Sequence, residues 1–159
     1  MTASPELTGP ELKELLTGGE PIVTVVYGRT RLMLLHHCPA RTALGLAKGH
    51  KDCRMCDEGS PDALAGQALE DRKGYRFPLL RQRLPEGCMV QLMNAFPTDN
   101  IINSEFIIHN SELRERGTNR ALVFTTETRN ETEAVLEAFK EGRKTGGETT
   151  TGHWKRPVE

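Results

Sequence analysis

The sequence has neither a long apolar run nor a marked excess of charge of either sign. No apolar stretch approaches the roughly 20 residues of a transmembrane helix, so no membrane partner is expected. The 21 basic and 22 acidic side chains leave a net charge of −1, which gives no overall electrostatic attraction for nucleic acid, so no DNA partner is expected either. With 159 residues, 36% of them apolar and 27% charged, the composition predicts one soluble domain over residues 1–159.

Targeting signals and common protease motifs are also missing. The first residues, MTASPELTGPEL, contain neither a basic segment nor an apolar segment, unlike a secretory signal. A cytoplasmic location is therefore expected, where thiols stay reduced and grouped cysteines more often bind metal or react than form disulfides. The sequence has no HExxH motif, the usual signature of zinc proteases, and no GxSxG motif, the usual signature of α/β-hydrolases.

Two helices have clear start and stop signals. Thr8 and Glu11 form a capping box that begins a helix over residues 9–17, and the following glycine pair ends it. A later helix is predicted to begin with Asn130 as its N-cap and to end at Gly142.

The other predicted elements are mostly strands, which together with the helices indicate an α/β fold. Strands are predicted at residues 22–27, 31–36, 88–94 and 120–127, with a weaker strand at 105–110, a hairpin turning at 72–74 and a helical turn at 111–116. Residues 39–70 are predicted to form a cysteine-bearing loop, and residues 143–159 an extended tail.

The first two strands are nearly unbroken apolar runs, which is typical of parallel strands buried on both faces. Parallel strands need long crossover connections, usually helical, and the sequence predicts few helices. Either the sheet is largely antiparallel or the chain is part of a larger α/β unit.

Three of the four cysteines lie in the stretch LMLLHHCPARTALGLAKGHKDCRMC, residues 32–56. Cys38 follows a strand, Cys53 and Cys56 form a C-x2-C knuckle, and Cys88 opens a later strand. Four converging thiolates can bind zinc or an iron–sulfur cluster. Alternatively, Cys38 and Cys88 are small buried apolar residues, or the thiols serve redox chemistry or disulfides. Zinc ribbons usually have two such knuckles and this chain has one, so the spacing leaves these alternatives open.

A catalytic thiol is the remaining alternative for Cys38. His37 adjoins it, but neighbours on a strand point to opposite faces and make a poor nucleophile–base pair. His36 or His50 would have to approach the thiol instead, and either is better explained as an exposed residue or as a neighbour of a metal ligand.

Two clusters of cationic residues are candidates for binding anions or bases. The hairpin LEDRKGYRFPL contains Arg72 and Lys73, which suit carboxylate or phosphate, although composition alone favours a solvated turn. The tail TGHWKRPVE sets Trp154 among cations, where it could stack a base or dock on a core.

Five stretches resemble, in this order, the collagenase-like peptidase family U-thirty-two. They are VYGRTRLMLLHHCPA, CRMC, LEDRKGYRFPLLR, GCMVQLMNAFP and TTGHWKRPVE. The resemblance spans roughly residues 7–159, and the motifs are individually modest but jointly specific in order and spacing. Members of the family have a Tyr-Gly-Arg strand, a Cys-Pro pair, a later cysteine knuckle and an Asp-Arg-Lys-Gly turn.

The resemblance implies a partial (β/α) TIM-like barrel. By this resemblance the chain is expected to correspond to the C-terminal portion, with an inserted cysteine-bearing loop and a β-hairpin. It implies that the front half of the barrel, or a second subunit, completes the fold as a partner. A pocket built from loops at the strand ends would be incomplete without that half. One departure from the family pattern is Ala95, which stands where a serine often sits.

The resemblance also implies a metal centre and a type of reaction, hydroxylation. Cys38, Cys53, Cys56 and Cys88 match in order the cysteines that bind an iron–sulfur cluster, of the 4Fe-4S type, in relatives that hydroxylate RNA bases or the ubiquinone ring. Zinc is the alternative metal. The residues that would hold an anionic substrate are Arg29, Arg72 and Lys73, and no catalytic residue is assigned.

Three readings of function follow. In the first, the chain is the iron–sulfur-binding portion of an enzyme that hydroxylates RNA bases or small aromatic substrates. In the second, it is a collagenase-like peptidase that acts on peptides, with structural or zinc-binding cysteines. In the third, it is a non-catalytic subunit that depends on a partner, because half of a barrel would expose an apolar edge.

Overall fold

A computed structural model describes residues 1–43, 68–85 and 87–155. The chain forms two compact units, the first from Met1–Thr30 with Phe96–Glu159 and the second from Arg31–Ala95. In chain order the elements are α1 (Gly9–Thr17), β1 (Val23–Gly28), β2 (Arg31–Leu35), α2 (Pro39–Ala43), β3 (Ala68–Glu70), β4 (Arg76–Leu84), β5 (Gly87–Met93), β6 (Thr98–Asp99), α3 (Glu105–His109), α4 (Ser111–Glu115), β7 (Asn119–Val123) and α5 (Arg129–Glu141).

The first unit has a three-stranded sheet in the order β6-β1-β7. β1 and β7 run parallel, from the pair Val23↔Asn119 to the pair Gly28↔Val123, while the short β6 is antiparallel to β1. Val26, on the central strand, is fully buried. The prediction of a buried strand with a parallel partner is therefore confirmed for β1.

The core of the first unit lies beneath α1. Leu12 and Leu16 of the helix pack against Ile22, Ile107 and Leu113, and the tail residue Trp154 packs against the same cluster. The predicted capping box is present: the Thr8 hydroxyl accepts a hydrogen bond from the backbone N–H of Glu11, whose carboxylate accepts one from the backbone N–H of Thr8. The core-docking alternative for Trp154 is confirmed.

The segment 105–110 is helical, so the predicted strand is wrong. Ile107 is buried in the core cluster and Phe106 packs at its edge. Asn110 ends α3 and caps α4, because its side-chain oxygen accepts a hydrogen bond from the backbone N–H of Leu113 at 3.2 Å. Strand propensity reflects packing on a pleated surface, and here the packing is supplied by α1.

The observed N-cap of helix α5 lies two residues before the predicted one. Thr128 is the N-cap and forms a capping box with Glu131, so the prediction of Asn130 is wrong by two positions. The end is as predicted: Gly142 has φ 64°, the left-handed conformation that glycine adopts most easily.

The second unit has an antiparallel sheet in the order β2-β5-β4-β3. The predicted hairpin joins β3 to β4, and its turn is held by the Asp71 carboxylate, which accepts hydrogen bonds from the backbone N–H groups of Lys73 and Tyr75 at 2.8 and 3.0 Å. Among the described strands β2 lies at the edge of this sheet, and its Leu32 and Met33 side chains are 51% and 53% exposed. The prediction that this strand is buried on both faces is therefore wrong.

Both sheets are open over the residues that the structure describes. The parallel pair of β1 and β7 is the kind of pairing that a (β/α) barrel uses, but the barrel itself stays a prediction. Among the described helices, none combines the length and apolar character needed to cross a membrane.

Candidate functional site

Cys38 lies three residues beyond the end of β2, at the start of α2. Its side chain is 8% exposed and packs in a small apolar cluster with Leu79 and Val90, which Leu35 and Leu92 border. The carbonyl of Cys38 accepts a hydrogen bond from the backbone N–H of Thr42 at 3.2 Å, which fixes the turn that carries the thiol.

Cys88 is the second residue of β5, beside the end of β2. The two strands are antiparallel with Leu35 opposite Val90, so residues that follow β2 lie next to residues that begin β5. Side chains alternate along a strand, so Cys88 shares a face of the sheet with Val90. Because Val90 contacts the cluster that contains Cys38, both cysteines lie at one end and on one face of the β2–β5 pair.

The other two predicted ligands, Cys53 and Cys56, lie outside the described residues, as does His50. Within the described residues, no three side chains of the metal-binding types come together, and Cys38 and Cys88 are free cysteines. His36 and His37 are exposed at the end of β2, whereas Cys38 is buried. Cys38 belongs to the apolar cluster, and the strand register puts Cys88 on the face of β5 that Val90 shares. This placement is compatible with thiolate ligation.

The three predicted anion-binding residues lie in two different units. Arg72 and Lys73 are exposed at the tip of the β3–β4 hairpin in the second unit. Arg29 follows β1 in the first unit, and its Nε donates a hydrogen bond to Thr126 Oγ1 at 2.9 Å. The solvated-turn interpretation accounts for the first two residues, while Arg29 lines a cavity.

This cavity has a volume of about 360 Å³ and lies at the carboxyl ends of the parallel strands β1 and β7. Crevices at the carboxyl ends of parallel strands are where α/β proteins bind ligands. Its polar lining comes from segments that are far apart in the sequence: Tyr27, Arg29, Glu127, Glu131, Glu148 and Thr149. Sequence reasoning identified only Arg29 among them.

Burial and charge set the protonation of the residues around the cavity. Burial, followed by the nearby Glu127 carboxylate, raises the pKa of Tyr27 to about 12, while Arg29 acts in the opposite direction. Tyr27 is therefore a neutral hydroxyl over the ordinary pH range. The pKa of Glu131 is held below its usual range, because the carboxylate accepts hydrogen bonds from the backbone N–H and then from the hydroxyl of Thr128.

Among the described residues, only one oxygen of the Glu127 carboxylate has hydrogen-bond donors. Its Oε2 accepts hydrogen bonds from the backbone N–H groups of Thr125 and Thr126, at 2.6 and 3.0 Å. Its Oε1 is buried and has no hydrogen-bond partner in the part of the chain that the structure describes, and the same holds for Thr149 Oγ1. A buried acceptor without a donor costs free energy, about 1–3 kcal/mol for a neutral group and more for a charged one.

The chain matches no protein-family model, no curated protein and no solved structure. The resemblance to the U-thirty-two family therefore stays a prediction, based on the order and spacing of the chain's own motifs.

Proposed function

We propose that the chain binds an iron–sulfur cluster of the 4Fe-4S type through Cys38, Cys53, Cys56 and Cys88. The observation that carries the proposal is the placement of Cys38 and Cys88, which are distant in sequence but lie at one end and on one face of the β2–β5 pair. A four-cysteine set with this arrangement supplies the soft donors that iron–sulfur clusters require.

Chain connectivity allows the remaining cysteines to join this set. Helix α2 follows Cys38 directly and ends at Ala43, so the segment that contains Cys53 and Cys56 starts beside the first ligand. The ten residue steps from Ala43 to Cys53 (53 − 43) reach up to about 35 Å when extended. The C-x2-C spacing then lets two sulfur atoms face one centre.

The function that this centre supports best is electron transfer within an oxygen-inserting, RNA- or small-aromatic-modifying enzyme. When bound, such a cluster supplies one-electron chemistry at a potential set by its surroundings. The protein's own contribution is the apolar cluster of Leu79, Val90 and Leu92, which limits the access of water to Cys38. The chemistry of the substrate comes from the resemblance to the U-thirty-two family and is proposed on that basis.

Anaerobic purification, with visible absorption and with iron and sulfide analysis, tests the proposal. The expected result is a brown protein that holds about four irons per chain, as its cluster type requires. The Cys38→Ser and Cys88→Ser variants are expected to lose the iron, whereas the control variant Met89→Ala, at the adjacent position on the opposite face of β5, keeps it. A folded, colourless protein without iron after anaerobic reconstitution contradicts the proposal.

Other outcomes would support the alternative functions of the cysteines. Stoichiometric zinc without iron in protein purified under nitrogen would identify the cysteines as a zinc site. Cleavage of gelatin that is lost in Cys38→Ser would support the collagenase-like peptidase, and cleavage that survives all four substitutions would place the catalytic groups elsewhere.

A partner-dependent subunit is a second candidate function, and one observation favours it. The edge strand β2 exposes Leu32, Met33 and Leu34, the last at 39%. An exposed apolar edge strand is a pairing surface for another chain. Sedimentation at rising protein concentration tests this function: association that Met33→Lys abolishes would support it, and a monomer at all concentrations would contradict it.

A further inference from the structure

We infer that Arg81 lies beside the proposed cluster site and raises the reduction potential of the bound cluster. This inference rests on the proposed function, since it assigns to Arg81 a role toward the centre that Cys38, Cys53, Cys56 and Cys88 would bind. Arg81 contributes a charge and no ligand atom, so its loss should change the potential without removing the iron.

The strand register puts Arg81 next to the two described cysteines. In the antiparallel pair of β4 and β5, Arg81 stands opposite Val90, and Cys88 stands opposite Arg83. Directly opposite residues share a face of the sheet, and so do residues two apart along a strand. Arg81 is therefore the diagonal neighbour of Cys88, at a separation that a long side chain spans. On the same face Val90 belongs to one apolar cluster with Cys38.

Arg81 brings a positive charge into an apolar part of this face. Its side chain is half-buried, and its guanidinium has no hydrogen bond, ion pair or aromatic contact with any residue that the structure describes. The residues around it on this face are Leu79, Val90 and Leu92. A charge that is partly removed from water is costly unless a counter-charge lies nearby. Within the described residues, this face therefore holds a cation without an anion bound to it.

The missing counter-charge matches a cluster held by four thiolates. Four thiolates give a 4Fe-4S centre a net negative charge, and net charge is one of the properties that set its reduction potential. Reduction adds one electron to the centre and moves no proton or leaving group, so the reduced form is the more negative one. A cation in apolar surroundings stabilises the reduced form more than the oxidised form, which raises the potential.

A spectroelectrochemical titration of anaerobically purified protein, with dithionite as the one-electron donor, tests the inference. Arg81→Gln removes the charge and keeps a polar side chain. At a fixed potential it should shift the ratio of oxidised to reduced cluster about tenfold toward the oxidised form, which equals a fall of about 59 mV for a one-electron couple. Arg81→Lys keeps the charge, so its ratio should stay within about twofold of that of the parent protein.

Arg31→Gln is the matched control, because it removes the same charge from the same sheet. Arg31 is exposed and stands opposite Met93, five residues along β5 from Cys88 (93 − 88), which is about 17 Å of strand. Water and salt screen an exposed charge at that distance, so the potential should not change. A shift in Arg31→Gln as large as that in Arg81→Gln would overturn the inference.

Iron content separates an effect on the potential from an effect on folding or cluster assembly. Arg81→Gln and Arg81→Lys should hold as much iron per chain as the parent protein, and loss of iron in Arg81→Gln would overturn the inference. A parent protein that holds no iron would overturn the proposed function together with this inference. A parent protein that holds its iron, with the same potential in Arg81→Gln, would overturn this inference alone.

Discussion

The buried carboxylate of Asp99 accepts two hydrogen bonds from Thr145, one from the backbone N–H at 2.8 Å and one from the hydroxyl at 2.7 Å. Its other oxygen accepts the backbone N–H of Ile101 at 3.1 Å. Asp99 belongs to the short strand β6, so these bonds join the sheet of the first unit to the loop that follows α5. We expect this contact to hold the wall of the cavity in place.

Removal of the Thr145 hydroxyl should destabilise the first unit. Thr145→Val keeps the shape of the side chain but leaves a buried carboxylate one donor short, so the free energy of unfolding should fall by about 1–3 kcal/mol. Thr145→Ser keeps the hydroxyl and should cost less. Urea denaturation of both variants measures the difference, and equal stability of the two would contradict a role for the hydroxyl.

Substitutions at the start of α5 test which residue is the N-cap, Thr128 as in the structure or Asn130 as predicted from the sequence. Thr128→Ala removes the side chain that accepts the Glu131 backbone N–H and should lower the free energy of unfolding by about 1 kcal/mol. Asn130→Ala, at the position predicted from the sequence, should change stability by no more than about 0.5 kcal/mol, since the residue lies inside the first turn and is exposed. A larger effect at Asn130 than at Thr128 would show that the cap is misplaced.

Both errors in predicting helices arise from competition between signals in the sequence. Asn130 is a good N-cap by residue type, but Thr128 has a glutamate three residues on, and the paired hydrogen bonds of the capping box decide the start. In the segment 105–110, Phe106 and Ile107 are residue types that favour strands. Their contact with the core cluster that contains Leu12 and Leu16 of α1 favours the helix instead. The first helix was predictable because Thr8, Glu11 and the glycines after Thr17 all agree.

The placement of Cys38 and Cys88 was partly predictable from the sequence, and the cavity was not. Local apolar runs predict the strand that ends before Cys38 and the strand that begins near Cys88. The antiparallel pairing of these two strands depends on contacts that no local pattern encodes. The cavity is lined by the end of β1, the turn after β7, the first turns of α5 and the loop over residues 145–149. The available signal in that loop is the Gly146-Gly147 pair, which Thr145 precedes and Glu148 follows, and the sequence pattern predicts an extended tail there instead.

Acid should destabilise the protein through its two capping boxes. In each, the threonine's hydrogen bonds hold the pKa of the glutamate, Glu11 or Glu131, below its usual range, with the side-chain bond dominant for Glu11 and the backbone bond for Glu131. A pKa that is lower in the folded state adds stability above the unfolded-state pKa, and this stability is lost as the pH falls through the folded value. The double variant Glu11→Gln/Glu131→Gln keeps acceptors for the caps and should show a shallower loss of stability in acid. An unchanged pH dependence in urea titrations would contradict this assignment.

The docking of the tail can be followed through the chain's single tryptophan. The Gly9 backbone N–H donates to the Trp154 carbonyl at 2.9 Å, and a Cβ atom at Gly9 would lie 2.9 Å from two atoms of the indole ring. A Gly→Ala substitution normally stabilises a helix. Here Gly9→Ala should displace the indole from the core cluster of the first unit and shift its fluorescence to longer wavelength. Pro10→Ala, at the adjacent exposed position, is the control and should leave the spectrum unchanged. A Gly9→Ala spectrum identical to that of the parent protein would mean that Trp154 does not pack on Gly9 in solution.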